Sequence, residues 1–446
     1  MAARDLRPQG RTLLICLYLA YLLSFADRVI FSVALKPIKA ALGLSDSQLG
    51  LLSGAAFAVS YALFSPVGGL IADKTSRKLL LVFAVGFWSL ATLGTGLALS
   101  FMTMIVARAA VGAGEALLHP LAISLIGDTV PRERRSRAFG VYLSAGSAGV
   151  IVALLLGGLV LHLVESAGGL TVPIVGHVQP WQAVFFVAAA PGLLLAVVIA
   201  VVIRDTPRTR DGEVEGTDEG STGGFVRNHL RLLVSIFLGI AVFQLAAYTV
   251  QTWNVVFFER TYGWTGSQTA IALALTSGVL SLIGCLAVGR LIEVLRRRGR
   301  SDAPLLVCVA GGSAFCFFAL LALAAPTAGT ALVPMGIASF FGYAPSIGGY
   351  VAMGEAVPSR IRARLAGVHI LSVGLISNAL GPLLVGMFSD GLFPQADGIR
   401  WALFVTVALA GVLGLAITAS GLAAYRRRAL QLDHPSISDP AKPPKA

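Results

Sequence analysis

Charged residues are scarce in this chain. Asp, Glu, Lys and Arg make up 13% of its 446 residues, about half of the share in an average soluble protein. Hydrophobic residues make up 56%, and the mean hydropathy is +0.82. This composition excludes a soluble globular protein, because only lipid can cover so much apolar surface. The formal net charge of +12 comes from short basic runs between apolar segments, so we expect no nucleic-acid partner.

Sequence motifs for catalysis and cofactor binding are also absent. The four cysteines lie in apolar segments, without the spacing of a metal site or a disulfide framework. No G-x-x-x-x-G-K-[ST] run is present, which excludes transport driven by nucleotide hydrolysis. The chain has no G-x-S-x-G run and its histidines are scattered, which disfavours a membrane enzyme. We therefore expect a protein that is not an enzyme and that holds no metal or other cofactor.

Long apolar runs are abundant instead, and a membrane-spanning helix needs about 20 mostly apolar residues. Twelve stretches meet this requirement: 12–35, 47–72, 79–99, 102–127, 137–163, 180–203, 230–258, 267–292, 303–324, 329–354, 365–389 and 399–424. The first stretch follows three arginines, as a signal peptide would, but it is too long and lacks a small-x-small cleavage site. The sequence therefore predicts an all-α membrane protein with twelve transmembrane helices.

The basic residues indicate how this protein lies in the membrane. Of the 34 Lys and Arg residues, 27 lie in the termini and loops on one predicted side, four on the other side and three in or beside helices. By the positive-inside rule, the rich side and both termini face the cytoplasm. The short loops are typical of a bacterial inner-membrane protein, and we expect a monomer.

Two related halves are visible in the sequence. Segments 126–142 and 353–369 share seven residues at a constant separation of 227, and Gly43, Ser47, Gln48 and Gly69 recur 220 residues later. We predict two pseudo-symmetric six-helix bundles, with boundaries at 1–203 for the first, 204–229 for a polar cytoplasmic linker, 230–424 for the second and 425–446 for a cytoplasmic tail. Parallel repeats of this kind predict a substrate site near the membrane midplane, between the halves, and transport by alternating access.

Three motifs resemble those of the major facilitator superfamily. Residues 69–78, GLIADKTSRK, resemble its helix 2–3 loop signature, G-x-x-x-D-R/K-x-G-R-R/K, with Ser76 in place of the usual glycine. Arg108-x-x-x-Gly112 resembles its helix 4 motif, and residues 205–208 resemble the segment that often follows helix 6. The resemblance implies the major facilitator fold and extends over nearly the whole chain.

Within the superfamily, the chain resembles the spinster family. The similar segments are 25–28 (FADR) in helix 1, 112–116 (GAGEA) in helix 4 and 257–260 (FFER) after helix 7. This resemblance implies transport of lysolipids or sphingosine phosphates, coupled to protons in some members. The alternative is the anion:cation symporter family, which also has an Asp-Arg pair in helix 1 and carries organic anions such as sugar acids.

Four charges fall inside predicted helices of the first half, where each is a functional candidate because it is costly in the membrane. Asp27, Arg28 and Arg108 lie at similar depth, about 9–14 Å below the outer end, at 1.5 Å per residue. Glu115 shares the face of Arg108, about 10 Å deeper. We expect the two arginines to bind an anionic headgroup, and Asp27, Glu115 and His119, one turn further, to be the candidates for proton coupling. The alternative is that Asp27–Arg108 and Arg28–Glu115 are structural ion pairs.

Charges at the predicted cytoplasmic ends of the helices form a second group. The superfamily resemblance implies that Asp73, near Arg77, takes part in a latch between helix 2 and the second half. We expect gating contacts from Arg137, Glu355 and Arg364 as well. The alternative is that all five are solvated loop charges that obey the positive-inside rule.

The second half contributes polar rather than charged candidates for substrate binding: Gln251, Asn254, Tyr343 and His369. A cavity that is charged on one side and apolar on the other suits an amphipathic ligand. We therefore predict a secondary active transporter that moves an anionic lipid, such as a lysophospholipid or a sphingosine phosphate, and is driven by a proton gradient. Its partners would be the bilayer, the lipid and protons. The alternative substrates are small organic anions carried by a proton symporter, or drugs carried by an exporter.

Overall fold

The computed structural model describes residues 8–167, 170–172, 176–203 and 222–433. Within these ranges, twelve helices are long and apolar enough to cross a membrane, as predicted. The first six, α1 to α6, are Pro8–Leu42 (α1); Asp46–Gly50, Leu51–Ala55 and Ala56–Lys74 (α2); Arg77–Gly96 (α3); Phe101–Glu115 and Leu118–Thr129 (α4); Arg132–Ser166 (α5); and Pro180–Val202 (α6).

The second six helices, α7 to α12, follow a short helix at Thr222–Asn228. They are Leu230–Val234, Ser235–Gly239 and Ile240–Tyr262 (α7); Gly266–Leu273, Ala274–Gly278 and Val279–Arg297 (α8); Ala303–Ala324 (α9); Ala328–Phe341 and Ala344–Ala356 (α10); Ser359–Ser372, Val373–Leu380 and Gly381–Gly391 (α11); and Gly398–Ser420 (α12). A further helix, Leu422–Asp433, follows α12.

The repeat seen in the sequence extends to the ends and breaks of the helices. α4 begins at Phe101 and α10 at Ala328, which are 227 positions apart, and both helices are interrupted near their middle. Each begins with a capping box, in which Ser100 or Thr327 accepts a hydrogen bond from the amide three residues later. The same local chemistry therefore starts the corresponding helix in each half.

Short π-helical segments interrupt four of the long helices. They are Leu51–Ala55 in α2, Ser235–Gly239 in α7, Ala274–Gly278 in α8 and Val373–Leu380 in α11. A π-helical turn inserts an extra residue and redirects the side chains that follow it, and such turns are frequent at functional sites. Those of α2 and α11 lie against each other between the two halves, because Gly54 of the first meets the backbone of Asn378 of the second.

Several helices are longer than their apolar stretches. α1 was predicted over 12–35 but continues to Leu42, so Lys36 and Lys39 lie on the helix. An apolar stretch marks where lipid contact ends, whereas a helix continues as long as its backbone hydrogen bonds can form. The predicted linker and tail are helical where described, at Thr222–Asn228 and Leu422–Asp433. Residues 204–221 and 434–446 lie outside the described part, and the division into domains stays a prediction.

A small β-hairpin lies between α5 and α6. Its strands are β1, Leu170–Val172, and β2, Gly176–Val178, and they pair antiparallel with Thr171 opposite His177. Val178 is buried, and the next residues begin α6. The hairpin therefore anchors the connection between these two helices.

Candidate functional site

The two halves meet closely at the end of the molecule where α1 ends and α2 begins. We call this the outer end, because the distribution of basic residues predicts that it faces away from the cytoplasm. A Cβ atom on Gly50 of α2 would lie 2.5 Å from the carbonyl oxygen of Pro382 on α11, and one on Gly54 would fall on the carbonyl oxygen of Asn378. Only glycine lets two helix backbones approach so closely, so α2 and α11 close the outer end.

Polar contacts across the same interface centre on Asp46, the first residue of α2. Its carboxylate accepts hydrogen bonds from the guanidinium of Arg260 on α7 at 2.6 and 2.7 Å and from the hydroxyl of Ser389 on α11 at 2.8 Å. Lys39 of α1 also donates to it, at 2.6 Å. A bidentate pair between arginine and carboxylate is among the stronger polar contacts in proteins, so this contact holds α2 against the second half.

Asp390, at the end of α11, makes the reciprocal contact. It accepts a hydrogen bond from the amide of Asp46 at 3.1 Å, and from the amide and the hydroxyl of Ser47 at 2.7 and 2.6 Å. A carboxylate in this position satisfies the free amides at the start of a helix and interacts favourably with its dipole. We name this set of residues the outer latch: Asp46, Ser47, Arg260, Ser389 and Asp390.

Arg28 and Glu115 form a buried ion pair in the first half. The Nε and Nη2 atoms of Arg28 lie 2.8 and 2.7 Å from Oε2 of Glu115, and the hydroxyl of Ser24 donates to the same oxygen at 2.7 Å. The glutamate side chain is fully buried, and that of Arg28 is 16% exposed. The aromatic rings of Phe57 and Tyr61 lie 4.6 and 5.2 Å from the guanidinium carbon of Arg28, in the arrangement of a cation–π contact.

Asp27 has a different partner from the one that charge alone suggests. Its Oδ2 atom accepts a hydrogen bond from the hydroxyl of Thr92 on α3 at 3.0 Å, and the residue is buried. An ion pair between Asp27 and Arg108 is not found in the described part of the chain. One of the two ion pairs considered from the sequence is therefore present, and the other is not.

Arg108 is buried, and no described carboxylate lies within ion-pair distance of it, although Glu115 and Asp27 attract it from further away. It is 2% exposed, its guanidinium carbon lies 4.6 Å from the centre of the Phe31 ring and 5.6 Å from that of Phe57, and its Nε atom is buried. This Nε atom has no hydrogen-bond acceptor among the described residues. A buried cation without a hydrogen-bond acceptor is costly, so an anion that reached this guanidinium would be bound favourably.

A cavity joins these side chains to the second half. Its lining residues are Arg28, Val29, Ser32, Ser53, Phe57, Arg108, Tyr248, Gln251, Thr252, Asn378 and Pro382. Both charges among them belong to the first half. The second half contributes hydroxyl, amide and apolar groups only, so the cavity is cationic on one side and uncharged on the other.

The substrate-binding residues predicted from the sequence fall into two groups. Arg28, Arg108 and Gln251 line the cavity, whereas Asn254, Tyr343 and His369 are not among its lining residues. Asn254 and His369 are buried. The amide oxygen of Asn254 and the Nδ1 atom of His369 have no hydrogen-bond partner among the described residues. His369 packs between the rings of Phe237 and Tyr350. The structure brings three of the six together.

His119 lies in an aromatic cluster next to this site. Its Nδ1 atom lies 3.0 Å from the hydroxyl of Tyr142, and its ring lies 4.9 Å from that of Tyr21. The interruption of α4 after Glu115 separates His119 from the helical segment that carries Arg108 and Glu115. Its predicted role in proton coupling stays a prediction.

The predicted gating residues lie at the opposite end of the bundle. Arg77 makes an ion pair with Asp128 and donates to the hydroxyl of Ser124 at 2.7 Å, so it ties α3 to α4. Glu355 of α10 makes an ion pair with Arg296 of α8 and accepts a hydrogen bond from Tyr425 at 2.7 Å. These contacts of Arg77 join residues of the first half, and those of Glu355 join residues of the second half. Arg137 is exposed, and the side chains of Asp73 and Arg364 lie outside the described part of the structure.

Sequence reasoning missed several residues that the fold brings to the site. Ser24 and Thr92 hold the two carboxylates, and the outer latch joins residues more than 200 positions apart. Asp46 follows Ser45 in a capping box, which predicts the start of a helix but no distant partner. The spacing of Ser24 four residues before Arg28 is the one local signal that could have placed it on the same face.

The fold, the charged cavity and the closed outer end are those of a transporter, and the chain belongs to the Major Facilitator Superfamily, which matches residues 17–382. It is an integral multi-pass membrane protein, and its relatives are transporters rather than enzymes.

Three relatives show the range of proteins that it resembles. It is 26% identical to an "MFS-type efflux pump" of Mycolicibacterium smegmatis, over 91% of each chain. It is 28% identical to "Protein spinster homolog 1" of Homo sapiens, over 94% of this chain and 83% of that protein. It is 24% identical to a "Probable L-galactonate transporter" of Escherichia coli, over 97% and 91%.

Among solved structures, the chain is similar to a bacterial homologue of the human lysosomal transporter spinster in an inward-facing and unoccupied conformation. The identity is 26%, the TM-score is 0.78, and the alignment covers 95% of this chain and 98% of that one. The predicted resemblance to the spinster family is confirmed.

Proposed function

We propose that this chain is a secondary active transporter that moves an amphipathic anionic lipid, such as a lysophospholipid or a sphingosine phosphate, by alternating access and coupled to protons. The observation that carries the proposal is the guanidinium of Arg108, which is buried, is part of the cavity wall and has an Nε atom without a hydrogen-bond acceptor among the described residues. A phosphate or phosphodiester group fits such a site, because a guanidinium binds its oxygens with two parallel hydrogen bonds.

The uncharged side of the cavity supports an amphipathic substrate. Tyr248 and Pro382 of the second half line the cavity together with the two arginines of the first half, and neither carries a charge. A ligand with an anionic headgroup and an acyl chain would place its headgroup against the first half and its chain against the second. The human relative is named a spinster homologue, and the family resemblance implies lysolipid substrates.

Proton coupling would follow from the arrangement of Arg28 and Glu115. An anion that approached the arginines would compete with Glu115 for Arg28, and a carboxylate that loses its cation binds a proton more readily. Asp27, which is buried and accepts a hydrogen bond from Thr92, is the second candidate carboxyl group in the same half. Substrate binding and proton binding would thus be linked through one cation, which is enough to drive transport with a proton gradient.

A second candidate function is transport of a small polar organic anion. Gln251, Thr252 and Asn378 line the cavity and offer hydrogen bonds to hydroxyl groups, which a sugar acid would use. One relative of the chain is named an L-galactonate transporter. The lipid remains the better candidate, because the cavity has no charged group on the second-half side.

The test is transport by the purified protein in proteoliposomes, with a fluorescent lysophospholipid or labelled galactonate, in the parent and in Arg108→Gln. We expect lysophospholipid transport by the parent and a loss of at least tenfold in the variant. Arg290→Gln, which removes the same charge from an exposed position of α8, is the matched control and is expected to retain activity. Transport of galactonate without lysophospholipid would favour the second candidate, and full activity of Arg108→Gln would overturn the proposed role of this residue.

A further inference from the structure

Glu259 is a buried carboxyl group that the proposed transport site does not use. It lies in the last turns of α7, at the outer end, and its side chain is 5% exposed. Its Oε2 atom is buried, and no described residue donates a hydrogen bond to it. The ammonium group of Lys36 lies 3.9 Å from Oε1, which is too far for a hydrogen bond.

Helices from both halves surround this carboxyl group. Lys36 belongs to α1 of the first half, and Gly266 is the first residue of α8 in the second. A Cβ atom on Gly266 would lie 3.0 Å from Oε1 of Glu259 and 3.5 Å from the side chain of Leu161 on α5. Glu259 is therefore enclosed where α1 and α5 of the first half meet α7 and α8 of the second.

Among the described residues, three charged groups and one helix terminus act on Glu259. Lys36 attracts a carboxylate, but its side chain is half exposed. Arg260, next in the chain, also attracts it, although its guanidinium is bound to Asp46 of the outer latch. Glu165 on α5 repels it. The start of α8 favours a negative charge through its dipole, yet none of its amides donates to the carboxyl group within the described residues.

We propose that Glu259 is a proton-binding site that links protonation to closure of the outer end. A carboxylic acid tolerates a buried oxygen without a donor, whereas an ionised carboxylate needs hydrogen bonds or water around it. Separation of the halves would move α1 and α5 away from α7 and α8 and admit water to the carboxyl group. A bound proton would thus stabilise the closed outer end, and its release would stabilise the open one.

This site is distinct from the proposed coupling carboxyls. Asp27 and Glu115 contact other residues of the first half, whereas Glu259 lies on the second half, next in the chain to a member of the outer latch. Its effect on closure needs no substrate. The proposal for Glu259 can therefore be tested independently of the proposed lipid substrate.

The test measures the distance between the outer ends of the two halves as a function of pH, in the full-length protein in lipid nanodiscs without substrate. Spin labels are placed at Leu99→Cys and Gly329→Cys, one on each half, after replacement of the four native cysteines. Leu99 is exposed, and a side chain on Gly329 meets no other atom. We expect the closed population to shrink as the pH rises, and Glu259→Gln or Glu259→Met to stay closed throughout.

Control variants separate this site from other sources of pH dependence. Glu165→Gln removes an exposed carboxylate that repels Glu259, so the response should remain and its midpoint should move to lower pH. The response should also persist in the double variant Asp27→Asn/Glu115→Gln and vanish when Glu259→Gln is added. If the outer end of Glu259→Gln were open at every pH, closure would depend on an ionised Glu259 that attracts Lys36. That outcome would overturn the proposal. An unchanged response in Glu259→Gln, or no response in the parent, would overturn it too.

Discussion

At the scale of single residues, the first-half site shows what sequence distance can and cannot predict. The seven-residue spacing of Arg108 and Glu115 placed both on one face of α4, with Glu115 about 10 Å deeper than Arg108. An Arg28–Glu115 ion pair was one of the alternatives. The contact is present at 2.7 Å. Thr92 as the partner of Asp27 could not be predicted, because nothing in the α3 sequence distinguishes it from other small polar residues that help helices pack.

Glu115→Gln is the substitution that tests the role of this pair. It keeps the size of the side chain but removes the negative charge that compensates Arg28, and breaking a buried ion pair from one side typically costs about 3–5 kcal/mol. We expect a lower melting temperature and lysophospholipid uptake that no longer responds to a pH gradient. The measurement is uptake into proteoliposomes with and without the gradient.

Ser24→Ala is the matched control for that experiment. It removes one hydrogen bond to the same oxygen of Glu115 at 2.7 Å but leaves both charges in place. Uptake by Ser24→Ala should still respond to the gradient. If Glu115→Gln kept the full response, Glu115 would not be a coupling carboxyl.

At the scale of helices, hydropathy predicted the number of membrane-spanning helices but not the positions at which they bend. The apolar stretches gave twelve helices in the correct order. The interruptions of α4 and α10 did leave a signal, because Pro120 and Pro345 stand in the first turn of the segment that follows each break. The π-helical turns left no such signal in the composition. Gly50 and Gly54 are examples, since each could be an ordinary small residue in a lipid-facing helix, yet both contact the α11 backbone.

Gly54→Ala should therefore weaken the contact between α2 and α11. The added methyl group would fall on the carbonyl oxygen of Asn378, and a backbone atom cannot move aside as a flexible side chain can. We expect a smaller closed population in the spin-label distances and slower transport. Gly127→Ala on α4, where the methyl group meets no other atom, is the control and should be neutral or slightly stabilising, by up to about 1 kcal/mol.

At the scale of the whole molecule, the pseudo-symmetry of the sequence contrasts with the asymmetry of the charges. The repeat predicts two equivalent bundles, and corresponding helices do begin with the same capping chemistry. The buried charges that line the cavity belong to the first half alone. In the transporter proposed here, a symmetric scaffold with an asymmetric site would let the halves rock about a common axis while the substrate headgroup stayed with one of them.

The outer latch is the polar contact that opposes this rocking, and Asp46→Asn tests it. The substitution removes the charge that binds Arg260 and Lys39, and a hydrogen bond to a charged group contributes about 1.5–3 kcal/mol. Loss of about 1.4 kcal/mol changes an equilibrium tenfold, so we expect the ratio of closed to open outer ends to fall by at least that factor. The spin-label distances of Leu99→Cys and Gly329→Cys measure this ratio.

Asp397→Asn is the control that separates a latch from a general effect of charge. Asp397 also lies at the outer end, but it accepts a hydrogen bond from Thr261 at 2.5 Å and lies 3.7 Å from Arg400, both in the second half. Its loss removes the same charge without removing a contact between the halves, so the distances should stay as in the parent. If Asp397→Asn opened the outer end as much as Asp46→Asn, surface charge would control closure. If neither variant opened it, the glycine contacts of α2 and α11 would be sufficient to hold the halves together.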